Sequence, residues 1–137
     1  LLGLDDEEPT EDEDLLSVRA KQLMLRGALP KPQGIAAPRR TTTTQSQFLR
    51  DPKVRAWVLQ NAGGRCEACQ KAGPFEDEAG TPFLEVHHVK SLVDEGSDRI
   101  TNAIAACPNC HRRFHHSSDR EKFAQSIYRC VSRLTKE

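Results

Sequence analysis

The stretch Cys107-Pro-Asn-Cys-His-Arg-Arg-Phe-His-His116 decides the fold, together with an earlier Cys-x-x-Cys pair formed by Cys66 and Cys69. Two such pairs supply the four thiolates of a tetrahedral zinc site. A zinc ion with four sulfur ligands has no open coordination position, so this ion is expected to stabilise the fold without taking part in chemistry. The alternatives are four buried thiols or two disulfides, and the paired spacing disfavours both.

The histidines near these cysteines need a separate explanation, because a zinc ion satisfied by four sulfurs leaves them without a metal. His111 and His115 lie four residues apart, so on a helix both imidazoles project from one face. His87 and His88 end the apolar and β-branched run 83–89, which predicts a strand. One of this pair can bind metal and the other water, which predicts a second metal centre. The alternative is that these imidazoles surround the zinc site without binding a second metal ion, or that they form hydrogen bonds in the core.

The order of these residues resembles the HNH nucleases, in which a histidine pair lies on a strand, an asparagine in the next loop and a histidine on a helix. The matching segments are Leu84-Glu-Val-His-His88, Asn102 and Cys107-Pro-Asn-Cys-His-Arg-Arg-Phe-His115. The wider match, including Arg50-Asp-Pro52 and Ala72-Gly-Pro-Phe75, resembles the C-terminal half of McrA-type restriction enzymes over residues 15–137. The resemblance implies an α+β fold, a small zinc-stapled ββα-metal domain with flanking helices. It also implies an endonuclease that hydrolyses phosphodiester bonds in DNA containing methylated cytosine.

The resemblance implies a role for each matching residue. His88 corresponds to the general base, which takes a proton from the attacking water, a task that suits an imidazole near neutral pH. His87 and His111 correspond to ligands of the catalytic metal, and His115 to a third histidine that occurs in some branches only. Asn102 corresponds to the residue that pins the loop and orients the general base.

The donor atoms limit the metals that each centre can hold. The structural zinc is expected on four thiolates, those of Cys66, Cys69, Cys107 and Cys110. Many relatives have aspartate where this chain has His87, which gives a harder ligand set suited to Mg²⁺. Three imidazoles favour softer ions, so the candidates for the catalytic metal are Mg²⁺, Mn²⁺, Co²⁺, Ni²⁺ and Zn²⁺. Glu85 lies on the same side of a regular strand as His87, where its carboxylate would orient a ligand imidazole.

Charge is distributed unevenly along the chain. The 20 basic and 20 acidic side chains give a net charge of +0, but the first 14 residues contain eight acidic side chains and no basic one. Residues 15–137 therefore carry 20 basic and 12 acidic side chains. This excess of positive charge in residues 15–137 can neutralise phosphates, as expected of a protein whose partner is double-stranded DNA, methylated or otherwise modified.

These patterns divide the chain into an acidic disordered tail at 1–14, an N-terminal helix and extended linker at 15–46, and the nuclease domain with its zinc site at 47–137. The N-terminal helix is predicted from Leu15 to Arg26. No apolar run approaches the roughly 20 residues of a membrane span, and the acidic N-terminus is unlike a signal peptide. A cytoplasmic protein with reduced cysteines and no membrane partner is expected.

Within the nuclease domain, Asp51-Pro52 predicts the start of a helix that buries Trp57 along with two valines and ends at Gly63-Gly64. Strands are predicted at 83–89 and 103–106, joined by a loop at 91–101. The histidines at 111 and 115 are predicted on a short helix that follows.

A final helix is predicted to start at Asp119 and to bury an apolar stripe. The stripe consists of Phe123, Ile127, Cys130, Val131 and Leu134. Lys122, Arg129 and Arg133 are predicted to contact the DNA backbone or to form a solvated basic face.

Three classes of function fit these features. A metal-dependent endonuclease is favoured, because a zinc-stabilised nucleic-acid-binding module or a structural domain has no need of His88 and His111. McrA-type enzymes read modified cytosine with a separate domain, and residues 1–46 contain no candidate for it. The chain alone is therefore expected to cut or nick without methylation preference, or to depend on a partner for targeting. Because one such site cuts one strand, a homodimer is expected, with the helix from Leu15 to Arg26 as the contact.

Overall fold

A computed structural model describes residues 5–137. Its internal contacts divide the chain into two units, one that ends at Ser46 and one that spans Gln47–Glu137. Among the described residues, none of the helices has both the length and the apolar character that crossing a membrane requires.

The first unit contains a 3₁₀ helix at Asp5–Glu7 and the helix α1 at Glu13–Leu25. The helix begins earlier than predicted because Asp12, rather than Asp14, is the N-cap, and its carboxylate accepts a hydrogen bond of 3.0 Å from the N–H of Leu15. Part of the predicted disordered tail thus carries helical structure, while residues 1–4 of that prediction lie outside the described residues. Residues 28–46 are exposed and contain neither helix nor strand.

The second unit contains two strands of four residues each and three α-helices. Their ββα arrangement with flanking helices confirms the predicted α+β fold. In chain order, its elements are α2 (Pro52–Ala62), β1 (Glu85–His88), a 3₁₀ helix (Leu92–Asp94), β2 (Ala103–Ala106), α3 (Pro108–His116) and α4 (Arg120–Cys130).

The two strands pair antiparallel, with His87 opposite Ile104 and His88 opposite Ala103. The first strand is shorter than the predicted 83–89 because its partner offers only four residues. One face of the sheet, with Ile104 and Ala106, packs in a core that also includes residues of α3 and α4. The other face, with Ala103 and Ala105, packs against Val58 of α2. Successive side chains of β1 therefore face different helices.

The start and end of α2 follow from local chemistry, as predicted. The Asp51 carboxylate accepts a hydrogen bond of 2.9 Å from the N–H of Lys53, and Pro52 occupies the first helical turn. Gly63 ends the helix with a φ of 59°, a conformation that glycine adopts without steric cost. The prediction that Trp57 is buried is wrong, since the residue is 41% exposed and its indole lies beneath the guanidinium of Arg133 at 5.3 Å.

The predictions for α4 need three corrections. The helix ends at Cys130, which is exposed rather than part of the core, and buried Val131 forms the C-cap. Leu134 therefore lies beyond the helix. Asp119 makes no capping hydrogen bond because its carboxylate binds the guanidinium of Arg113 at 2.7 Å and the hydroxyl of Ser117.

Arg133 is an internal residue, contrary to the prediction of an exposed or DNA-binding side chain. Its guanidinium makes a bidentate ion pair with Glu67, at 2.7 and 2.8 Å, and both side chains are less than one-fifth exposed. It also donates hydrogen bonds to the carbonyls of Ile100 at 3.0 Å and Ala103 at 2.8 Å. Arg133 thereby joins the first cysteine pair to the start of β2.

Replacing Arg133 with alanine is expected to lower the free energy of unfolding by about 1 to 3 kcal/mol, because the mutation leaves the mostly buried Glu67 carboxylate without its ion-pair partner. Urea denaturation of the zinc-loaded chain measures this loss. Arg129→Ala, which removes an exposed arginine of α4, should cost less than about 0.5 kcal/mol. Equal losses in the two variants would show that the internal ion pair does not stabilise the fold.

Candidate metal centres and active site

The four predicted zinc ligands converge on one point. Cys66 and Cys69 lie in the turn that follows α2, Cys107 is the N-cap of α3, and Cys110 lies in its first turn. Their sulfur atoms all lie within 4.8 Å of one another. All five cysteines of the chain are free, so the disulfide alternative is wrong for this structure.

Backbone N–H groups and burial act in opposite directions on the thiols of this centre. The N–H groups of Ala68 and Cys69 point at the Cys66 sulfur, and that of Cys110 at the Cys107 sulfur, each at 3.4 Å. Burial raises the pKa values of Cys107 and Cys110. Burial acts in the same sense on Cys66, but N–H groups that point at its sulfur outweigh it and lower the pKa of that thiol. Four convergent sulfurs with such donors fit a tetrahedral zinc ion.

The predicted catalytic ligands form a second cluster. His87 projects from β1 toward α3, where it meets His111 and His115, and their candidate ligand nitrogens lie within 4.8 Å of one another. The ring centroids are separated by 5.0 to 5.2 Å. His87 is 5% exposed and stacks on Phe114, with centroids 4.3 Å apart, whereas His115 lies at the surface. The cluster therefore extends from the buried His87 to the exposed His115.

The electrostatics of this cluster favour neutral imidazoles. Burial, followed by the proximity of His111 and His115, lowers the pKa of His87 to about 3. Burial and His111 also lower the pKa of His115. Neutral imidazoles offer a lone pair, which is the form that binds a metal ion. Three convergent nitrogen donors thus fit a divalent cation with open coordination positions.

Glu85 makes the contact predicted from the strand pattern. Its Oε1 lies 3.1 Å from Nδ1 of His111, on the same side of β1 as His87. A carboxylate at Nδ1 leaves the Nε2 lone pair of a neutral imidazole for a metal, which is how such a partner orients a ligand.

His88 lies on the opposite face of β1 from His87. Its Nε2 is 2.8 Å from Oδ1 of Asp98, and its side chain is 12% exposed. The other oxygen of Asp98 accepts a hydrogen bond of 2.7 Å from the backbone N–H of Asp51. Burial raises the pKa of Asp98, but the hydrogen bonds from Asp51 and His88 outweigh it, so the net pKa is lowered. The sequence did not reveal Asp98, since no local pattern marks a carboxylate ten positions after its partner.

Asn102 is fully buried and connects the two ends of the loop between the strands. Its side-chain oxygen accepts a hydrogen bond from the N–H of Lys90 at 2.9 Å. Its amide donates to the carbonyls of Lys90 at 3.0 Å and Ser97 at 2.7 Å. The geometry is that of a residue that pins a loop, and that loop carries Asp98.

His88 also faces a cleft of about 280 Å³ within the second unit. The other lining residues are Arg50, Asp51, Pro52, Arg55, Val86 and Asp98. Two arginines therefore line the same cleft as the imidazole, where their guanidinium groups suit a phosphate group. The sequence assigns no role to Arg50 or Arg55.

The arginines beside the histidine cluster differ from one another. The guanidinium of Arg113 binds the Asp119 carboxylate at 2.7 Å and lies 3.8 Å above the ring of Phe123. It therefore contacts other residues of the chain, although it lies at the surface. Arg112 and His116 are exposed. The ring of His116 lies 6.3 Å from that of His115, outside the group that could hold a metal ion.

Comparisons with known proteins agree with this geometry. Residues 66–117 match the family model described as HNH endonuclease. The chain is 41% identical over 129 residues to the Type IV methyl-directed restriction enzyme EcoKMcrA of Escherichia coli strain K12, a match that covers 94% of this chain and 46% of the enzyme. It also matches the structure of the Type IV phosphorothioation-dependent restriction endonuclease ScoMcrA, with 31% identity and a TM-score of 0.56, over 93% of this chain and 27% of that one. The chain thus spans less than half the length of either relative.

Proposed function

We propose that this chain hydrolyses phosphodiester bonds of double-stranded DNA with a divalent metal ion, as an HNH endonuclease domain related to McrA-type restriction endonucleases. The observation that carries the proposal is the arrangement of β1. One side of this strand presents His87 to a cluster of three imidazoles, and the other side presents His88 to an arginine-lined cleft. A phosphate at the edge of the strand can be reached from both sides.

We assign the roles as follows. His87, His111 and His115 hold the catalytic metal, which when bound stabilises the negative charge that develops on the phosphate and the leaving oxygen. His88 acts as the general base and takes a proton from the attacking water. Asn102 fixes the loop behind His88 through its three hydrogen bonds. The expected products have 5′-phosphate and 3′-hydroxyl ends.

The ligand set supports a preference among metals. Imidazole nitrogens suit ions of intermediate softness, whereas Mg²⁺ prefers oxygen ligands. The carboxylate of Glu85 lies two residues from His87 but contacts Nδ1 of His111, so the candidate ligand atoms are the three imidazole nitrogens. We therefore propose that Mn²⁺, Co²⁺, Ni²⁺ or Zn²⁺ supports cleavage better than Mg²⁺. We also propose that a structural Zn²⁺ binds the four cysteine sulfurs, which lie within 4.8 Å of one another.

We further propose that the domain is the cleavage part of a restriction enzyme that depends on DNA modification, of the 5-methylcytosine type. The support is the sequence identity to a methyl-directed enzyme. The second relative, ScoMcrA, is phosphorothioation-dependent rather than methyl-directed. Nearly the whole of this chain matches each of the two relatives. A shared cleavage domain in enzymes that read different modifications indicates that the selection of DNA lies outside it.

Accordingly, the 137-residue chain is expected to cut methylated and unmethylated duplexes of one sequence at the same rate and to bind them equally well. Cleavage rates and dissociation constants on matched duplexes with cytosine or 5-methylcytosine test this. A preference of about tenfold, equivalent to about 1.4 kcal/mol, would show that these residues read the modification themselves.

Cutting both strands requires two active sites, and we propose a homodimer formed through α1. The helix has no buried residue, and it exposes Leu16, Met24 and Leu25 at 46%, 61% and 80%. An isolated helix of this length is marginal in water, so packing against a second copy would stabilise it. Light scattering should give a dimer for the whole chain and a monomer for a chain that starts at Thr41. An unchanged oligomeric state after truncation would exclude α1 as the contact.

A further inference from the structure

Asp98 and His88 form a partly buried pair, and the roles assigned above give Asp98 no part in the reaction. The two side chains are 18% and 12% exposed, and the carboxylate oxygen lies 2.8 Å from Nε2 of the imidazole. We propose that Asp98 is a positioning residue: it accepts a hydrogen bond from Nε2–H of His88 and thereby leaves Nδ1 as the nitrogen that takes the proton from water. This inference rests on the proposed function of His88 as the general base.

The tautomer follows from the chemistry of the two partners. An ionised carboxylate has acceptors only, so the ring nitrogen that faces it must carry the hydrogen. A neutral imidazole has one hydrogen, and its other nitrogen then offers a lone pair. With Nε2–H bound to Asp98, the lone pair lies on Nδ1. The carboxylate also prevents the ring from turning, so the basic nitrogen keeps a single direction.

Asp98 is itself held from several sides. Its second oxygen accepts the N–H of Asp51, the N-cap of α2, at 2.7 Å. The preceding residue, Ser97, donates its N–H to the Glu137 carboxylate at 2.8 Å and its carbonyl accepts from Asn102 at 2.7 Å. A partner fixed in this way can hold an imidazole without losing conformational entropy during the reaction.

The pair also suits the reaction step. The water oxygen forms a bond to phosphorus while its proton moves to Nδ1 of His88, the bond from phosphorus to O3′ breaks, and O3′ takes a proton from solvent. His88 is then an imidazolium with a hydrogen on each nitrogen. The Asp98 carboxylate stabilises this cation without becoming protonated, as the aspartate of a serine protease does for its histidine.

Asparagine is the informative replacement because it keeps the shape of Asp98 and removes its second acceptor. A side-chain amide has one oxygen, which cannot serve both the N–H of Asp51 and the Nε2–H of His88. If the oxygen stays on Asp51, the amide donates to Nε2, and the ring hydrogen moves to Nδ1. The general base is then blocked although the histidine is still present.

The test compares Asp98→Asn with Asp94→Asn, which removes an exposed carboxylate from the same loop. For Asp98→Asn we expect kcat on supercoiled plasmid to fall about 10²- to 10⁴-fold, the range typical of losing a general base. The upper end corresponds to the loss of about 10⁴-fold that the wrong tautomer causes in a serine protease. The control should stay within about twofold of the native chain, and DNA affinity should change little in either variant. Proton-nitrogen correlation spectra of the zinc-loaded proteins at about pH 8, where an ordinary imidazole is neutral, should show His88 with Nε2–H in the native chain and Nδ1–H in Asp98→Asn.

Three results would overturn the inference in different ways. A native chain that carries Nδ1–H on His88 would contradict it whether or not the variant folds. Native cleavage that is matched by Asp98→Asn would remove Asp98 from the reaction and leave the proposed function standing. A native chain that cuts no DNA with any metal would overturn the proposed function, and this inference with it.

Discussion

Replacing His88 with alanine is expected to reduce the rate of DNA cleavage by about 10²- to 10⁴-fold, the contribution typical of a general base. The fold should survive, because His88 faces a cleft and belongs to neither hydrophobic core cluster. Both metal centres should also survive, since the three-imidazole cluster lies on the other face of β1. Initial rates of plasmid nicking at saturating metal measure the effect, with zinc content and thermal unfolding measured on the same samples.

His116→Ala is the matched control for this variant. It removes an exposed histidine that lies outside the metal-binding group, so its rate should stay within about threefold of the native value. A His88→Ala chain that is folded, zinc-loaded and as active as the control would show that another group takes the proton from water.

The second large effect is expected at the zinc site, where Cys110→Ser should unfold the second unit. Three of the zinc ligands, Cys66, Cys107 and Cys110, belong to the same buried cluster as Phe114 and Ile127. Binding of zinc to such sites contributes about 10 to 16 kcal/mol, which is comparable to the total stability of a typical domain, about 5 to 15 kcal/mol. Loss of one thiolate should therefore remove both the ion and the cooperative thermal transition seen by circular dichroism.

Cys130→Ser separates this effect from the loss of any cysteine, because Cys130 is exposed at the end of α4. That variant should keep its zinc and its melting temperature. A Cys110→Ser chain that unfolds cooperatively at the native temperature would mean that the apolar core alone maintains the fold.

The parts of the fold that sequence could predict are those fixed by local chemistry. The N-cap at Asp51 with Pro52 and the glycine at the end of α2 acted as expected, as did the two cysteine pairs. The histidines at positions 111 and 115 share a helical face, because a spacing of four residues brings side chains together on any helix. Both of them also lie close to His87 of β1.

The predictions that failed depend on contacts between distant segments. Helical spacing predicts that Trp57 lies in the core, but the sheet face that α2 covers is lined by the small residues Ala103 and Ala105. Of the residues of α2, only Val58 is buried against this face. Arg133 was assigned to the surface because of its charge, yet its partner Glu67 lies 66 positions away. Pairs of this kind leave no periodic pattern in the sequence, which is also why the contact of Asp98 with His88 was missed.

The central claim is that this chain is a metal-dependent nuclease, and plasmid cleavage by the native chain tests it most directly. Supercoiled plasmid is incubated with zinc-loaded protein in EDTA and then with magnesium, manganese, cobalt or nickel. We predict no cutting in EDTA and nicking that rises with added metal, faster with manganese, cobalt or nickel than with magnesium. Retention of DNA binding without cutting under any metal would contradict the claim and identify the domain as a binding module.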